Sequence, residues 1–93
     1  MKAKDYAKQF NEAEDKTKTL HQIANAFFAE INALIEVRHA QTNAACLSIF
    51  DEQDRKWRAF ARLTNGEIKE DGFCILLQEF FPGPFVMWKM RRK

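Results

Sequence analysis

The sequence predicts an all-α protein: a long N-terminal helix packed against two or three shorter helices in a helical bundle, expected to dimerise. Three observations carry this. Gly and Pro number only 3 and 2 in 93 residues, so few turns are available. Apolar residues recur at steps of three and four along most of the chain. The first such stripe is also broader and longer than the rest of so short a chain is expected to cover.

That stripe is centred on Leu20–Val37, a run without Gly or Pro. At about 100° per residue, Leu20, Ile23, Ala24, Phe27, Phe28, Ile31, Leu34 and Ile35 share an arc of roughly 140°. A two-stranded coiled-coil seam needs only two positions in seven, so this helix calls for more than one neighbour. Upstream, Tyr6, Phe10, Ala13 and Thr17 continue the register, and downstream it runs to Arg38 and Gln41 without a slip. One helix over about 4–41 follows, roughly 57 Å long. A compact domain of this size is only about 25–30 Å across. The N-terminal third is therefore expected to meet a second copy, with Tyr6, Phe10, Ala13, Leu20 and Phe27 as the oligomerisation face of a homodimer.

Next comes a weakly marked turn within 42–51. Thr42-Asn43 and Ser48 with Asp51 offer caps, and the rival is one unbroken helix to Leu63. A second stripe, Cys46, Ile49, Phe50, Gln53, Trp57, Phe60, Ala61 and Thr64, defines a helix over about 46–64. Asn65-Gly66 ends it as a left-handed stop would. The same dipeptide is a hairpin signal, but 55–63 has no β-branched residue, which sets a 57–73 hairpin aside. Ile68, Phe73, Leu76, Leu77, Phe80 and Phe81 mark a helix over about 68–81, stopped by Pro82-Gly83-Pro84. A short helix over about 84–91 closes the chain. The expected core is Leu20, Phe27, Ile31, Leu34, Ile49, Trp57, Phe60, Phe73, Leu77 and Phe80.

Composition narrows the function classes. Apolar residues make up 46% and charged ones 30%, values of a folded chain rather than a disordered one. The net charge of +2 resides in the tail, because Lys89, Arg91, Arg92 and Lys93 are all basic while the body is near neutral. That is unlike the broad basic field of a dedicated DNA-binding domain. Cys46 and Cys74 lie among apolar neighbours and read as free buried thiols, with a single disulfide as the alternative. No apolar run reaches the ~20 residues of a membrane span, and the first residues lack the apolar core of a signal peptide. A cytoplasmic protein is expected.

Three groups of residues are candidate binding sites. The segment Phe85, Trp88, Lys89, Arg91 and Arg92 sets aromatics beside cations, which suits a partner protein, bases and phosphates, or a membrane interface. It is too short for stable membrane anchoring, and closure of the core is the plainer reading. Arg55, Arg58 and Arg62 share one helix face and could grip phosphates or an acidic partner. Asp51 and Asp54 stand four residues before Arg55 and Arg58, so a solvated, self-paired face competes with that role. Arg38 falls at a core position of the heptad, where it could set register or reach solvent.

Catalysis finds no support. His21 and His39 pair with no nucleophile or carboxylate by spacing, no metal pattern is present, and no Gly-rich phosphate loop exists. No cofactor is expected. The leading expectation is a non-enzymatic helical protein-interaction module with an unknown protein partner. Its size and composition are similar to those of small accessory proteins of phages and mobile elements. The alternative is a nucleic-acid-binding protein using the Arg55, Arg58 and Arg62 face with the basic tail. A weaker third is a small-ligand binder at a dimer seam.

Overall fold

A computed structural model describes residues 1–91. It contains five α-helices and, among the described residues, no strand: α1 (Ala3–Asn11), α2 (Lys16–Val37), α3 (Leu47–Arg62), α4 (Phe73–Phe80) and α5 (Pro82–Arg91). Short 3-10 turns at Ala44–Cys46 and Glu70–Gly72 lead into α3 and α4.

The single helix expected over 4–41 is two helices. The chain breaks at residues 12–15 and α1 folds back onto α3. The physical reason is capping and burial together. Asp15 caps α2 by accepting from the Lys18 amide at 3.1 Å. Lys16 Nζ meets the carbonyls of Phe10 and Asn11 at the end of α1, each at 3.3 Å, the Phe10 carbonyl also accepting from the Ala13 amide at 3.2 Å. Tyr6, Ala7 and Phe10 are then buried inside the chain's own core. The register of the apolar stripe was real, but a tertiary slot next to Phe60 claims its first third. The expectation that Tyr6 and Phe10 form an exposed seam for a partner is thereby corrected.

α2 ends at Val37 rather than near residue 41, in a motif built by backbone hydrogen bonds. The Ala40 amide donates to the Ile35 carbonyl at 2.9 Å and the His39 amide to the Glu36 carbonyl at 3.2 Å. This is a Schellman closure, with His39 in the left-handed region at φ 53° where Gly is usual. The unbroken rod to Leu63 does not occur. Asn65 (φ 58°) and Gly66 (φ 83°) stop α3 as read from sequence, and 57–73 is not a hairpin. Pro82 opens α5 at its first residue, where a missing amide costs nothing.

The core is a network of rings. Phe27 lies 5.3 Å from both Tyr6 and Trp57, and Trp57 packs at 5.3 Å on Phe60 and 6.0 Å on Phe73. A second group joins Phe50 to Phe81 and Trp88 at 5.7 and 6.2 Å. Of the expected core, Leu20 and Leu34 are only half-buried and Phe80 is exposed. In their place stand Tyr6, Phe10, Phe50, Phe85 and Trp88. Thr64, fully buried, donates to the Ala61 carbonyl at 2.7 Å and accepts from the Ile68 amide at 3.1 Å, so its hydroxyl costs the core little. Both cysteines are free; Cys46 is buried with its Sγ 3.7 Å from the Ala40 carbonyl, and burial pushes its thiol pKa up.

Candidate functional site

The feature with most binding character is a trough between α2 and α4. Its α2 wall is Leu20, Ala24 and Phe28, spaced by four so that they lie on one helical row. Its other wall is Ile68, Gly72, Ile75, Leu76 and Phe80. Two hollows of about 370 and 330 Å³ make up the trough and share His21, Ala24 and Leu76. The helices are tied together by the ring pairs Phe27–Phe73 at 5.9 Å and Phe28–Phe80 at 3.9 Å.

Local chemistry sets this shape. Trp57 Nε1 donates to the Lys69 carbonyl at 3.1 Å and so fixes the path of the chain into α4. Gly72 passes close over the Trp57 indole, where a Cβ would lie 3.6 Å from the ring. Small Ala24 and Gly72 leave room that larger residues would fill. Ile75 stands 69% exposed and Phe80 51% exposed, although each lies on the most apolar helix of the chain. The rim holds His21, Asn25, Lys69, Glu67 and Glu79, with Glu67 balanced by Lys16 at 3.6 Å. Apolar walls with a sparse polar rim favour apolar side chains of a partner over an anion or a metal ion. Among the described residues no group of three or more His, Cys, Asp or Glu is placed to hold a metal ion. Nor is any described helix long and apolar enough to cross a membrane.

No family model, curated protein or solved structure matches this chain. Function therefore has to be read from the surface itself.

The basic residues singled out from sequence are mostly engaged within the molecule. Arg38 reaches the Glu52 carboxylate with both terminal nitrogens, at 2.7 and 3.4 Å, and so links the end of α2 to α3 rather than sitting in a seam. Arg58 pairs with buried Asp54 at 2.9 Å, and this hydrogen bond raises its pKa above the usual guanidinium value. Arg62 pairs with Glu70 at 3.0 Å. Arg55 is exposed and has no ion pair among the described residues. Arg58 and Arg62 do share a shallow hollow, but Glu70 and Asp71 line it with them. The face is of mixed sign.

At the C-terminus the burial agrees with the plainer reading, closure of the core, over a binding segment. Phe85 and Trp88 are buried and close the core, so neither ring is available to stack on a base. Trp88 Nε1 donates to Asp51 Oδ1 at 2.8 Å, and Arg91 pairs with the other oxygen of the same carboxylate. Lys89 lies over the Phe85 ring, 5.8 Å from its centroid. Arg92 lies outside the described residues. Of the oligomerisation candidates, Tyr6, Phe10 and Phe27 are buried, while Ala13 and Leu20 are half-buried. Leu20 is the one that lines the trough.

A second polar cluster ties α1, α2 and α3 together. Lys56 Nζ lies 2.6 Å from Glu30 and sits over the rings of Tyr6 and Phe27 at 5.2 and 5.4 Å. Burial pushes the Glu30 carboxyl up, but hydrogen bonds from Lys56 and Gln53 and the Lys56 charge outweigh it and hold the pKa below the usual carboxylate range. Burial, with the Glu30 charge, pushes the Tyr6 phenol up. These groups are braced against one another and are structural.

The sequence places Ala24, Phe28 and Leu76 on apolar stripes without marking them as a surface, puts Phe80 in the core, and gives no signal for Ile75. The available signal was the width of the apolar arc on α2. Its edge, at Ala24 and Phe28, is buried, with Phe28 against Phe80 and Phe81, while Ile75 and Phe80 across the trough stay exposed.

Proposed function

We propose that this protein is a non-enzymatic helical interaction module that takes an amphipathic helix of a partner protein into the α2–α4 trough. The observation that carries this reading is Ile75, more than two-thirds exposed beside a trough whose walls are already apolar. The row from Leu20 to Phe28 is about 12 Å long, matching two turns of a docked helix with anchors at i, i+3 or i+4, and i+7. Ala24 and Gly72 let a helix backbone approach closely. A strand partner would need a free sheet edge, and the described residues contain no strand.

Selection from a displayed library of helical peptides tests the reading. Peptides with apolar anchors at those spacings are expected to bind the wild type and to perturb amide signals of α2 and α4. They are expected to lose binding to Ile75→Glu, whose exposed position leaves the fold intact. Recovery of no such peptide, or equal binding by Ile75→Glu, overturns it. The nucleic-acid alternative rests on Arg55 and the tail, since Trp88 is buried and Arg58, Arg62 and Arg91 are paired. Salt-dependent duplex binding lost in Arg55→Glu would favour it instead. An accessory role against a host protein, as in phages and mobile elements, fits a small chain built around one docking surface. Self-association is a further part of the reading, and its geometry comes from α1.

A further inference from the structure

We propose that α1 is exchangeable between two copies of this chain. In the second state residues 12–15 become helical, α1 and α2 fuse into one helix over residues 3–37, and the α1 of each copy fills the slot on the other's α3.

Four observations support this. The hinge Glu12-Ala13-Glu14-Asp15 has neither Gly nor Pro, and Ala and Glu are strong helix formers. The apolar register runs through it unbroken: Phe10, Ala13, Thr17 and Leu20 step by three and four as a single helix would. The turn is held by surface polar contacts, namely the Asp15 cap and the reach of Lys16 to the ends of α1 and to Glu67. In a fused helix the carbonyls of Phe10 and Asn11 would instead accept from the amides of Glu14 and Asp15, so no backbone group is lost. Finally, what α1 buries is compact and self-contained. Tyr6 and Phe10 pack edge-on to Phe60 at 6.4 and 6.2 Å, and Asn11 Nδ2 donates to the Leu63 carbonyl at 3.0 Å.

Straightening the hinge exposes both the α1 face and the slot, and each is then satisfied by a second copy with the same contacts. That reciprocity is what makes domain exchange a low-cost route to a symmetric dimer. The fused helix would be about 52 Å long, against a longest dimension of 39 Å in the folded-back form, so α1 has to leave its own body. The exchanged contacts lie on α3, apart from the trough on the α4 side of α2, and the Lys16–Glu67 pair is what touches both.

Light scattering on protein concentrated to the millimolar range tests the proposal with two hinge variants. Asp15→Ala removes the cap that favours the folded-back form, worth about fivefold per hinge and roughly 25-fold in the dimer constant. Glu14→Pro interrupts the fused helix at a position with no backbone hydrogen bond to lose among the described residues, and is expected to give monomer only. Far-UV circular dichroism checks that both variants fold. In a dimer made by mixing ¹⁵N-labelled chains with chains carrying a spin label at Lys8→Cys, in a Cys74→Ser background, amides around Phe60 of the labelled chains are expected to broaden. A strictly monomeric Asp15→Ala overturns the proposal. So does a dimer that Glu14→Pro leaves unchanged, or a dimer without that intermolecular broadening.

Discussion

The ring of Phe10 stands edge-on to that of Phe60, with centroids 6.2 Å apart and planes at 89°, and this contact folds the first helix back onto the third. Phe10 is almost wholly buried, and Lys16 covers its outer side, with Nζ 4.8 Å from the ring centroid. Phe10→Ala is expected to destabilise the protein by about 3–5 kcal/mol, the range for a buried Phe truncated to Ala. Urea denaturation followed by tryptophan fluorescence would read this. A loss below about 1 kcal/mol would mean that α1 contributes little to the fold.

His39 occupies a left-handed backbone position at the end of α2, where a Cβ is crowded against the following carbonyl. His39→Gly is expected to raise stability by roughly 0.5–1 kcal/mol, the relief of strain being partly offset by the greater freedom of unfolded Gly. His39→Ala should not show that gain. Thermal denaturation of the two variants side by side distinguishes relief of backbone strain from loss of the imidazole.

Thr64 is fully buried and its hydroxyl serves both the Ala61 carbonyl and the Ile68 amide. Thr64→Val keeps the shape and strands the Ile68 amide, while the Ala61 carbonyl keeps the residue 64 amide at 3.1 Å, so a loss of about 1–3 kcal/mol is expected, larger than the transfer preference of the added methyl. Because the Ile68 amide opens the path to α4, its hydrogen exchange should accelerate more than that of α1. Uniform acceleration would argue against a local role.

Glu30 is held ionised by Lys56 and Gln53, so its carboxyl is more acidic folded than unfolded. A group with a lowered folded pKa stabilises the protein above its unfolded value, near 4.3, and loses that contribution as pH falls through the folded value. Glu30→Gln is therefore expected to be less stable than the wild type at neutral pH and to converge with it in acid. Since the Glu30 side chain is 36% exposed, solvent screening limits the difference to about 1 kcal/mol or less. A gap that persisted unchanged to pH 2 would show that shape, not charge, was lost.

Much of the architecture was legible from residues alone because the local signals were strong. Asn65-Gly66 closed α3 in the left-handed region, and Pro82-Gly83-Pro84 stopped α4, although α5 starts at Pro82 itself and not near residue 84. The absence of β-branched residues over 55–63 went with helix. The trough was less legible. Phe80 shares the helical face of Phe73 and Leu77, and nothing in that spacing says that it stays uncovered, whereas Ile75, two residues from both Phe73 and Leu77, falls on the opposite face.

By itself the sequence determined the helical class and the aromatic character of the core, but not the bounds of its helices: α4 begins at Phe73 rather than near residue 68, and α5 at Pro82 rather than near residue 84. Class and core character rest on propensity, periodicity and punctuation, which act over a few residues. Only the tertiary structure decided that residues 12–15 bend, that α2 stops at Val37, and that Tyr6 and Phe10 face inward. Over 12–15 no Gly or Pro forces a break, so straight and bent forms differ by a few surface contacts there. The balance is tipped by burial against Phe60, some fifty residues away in the chain.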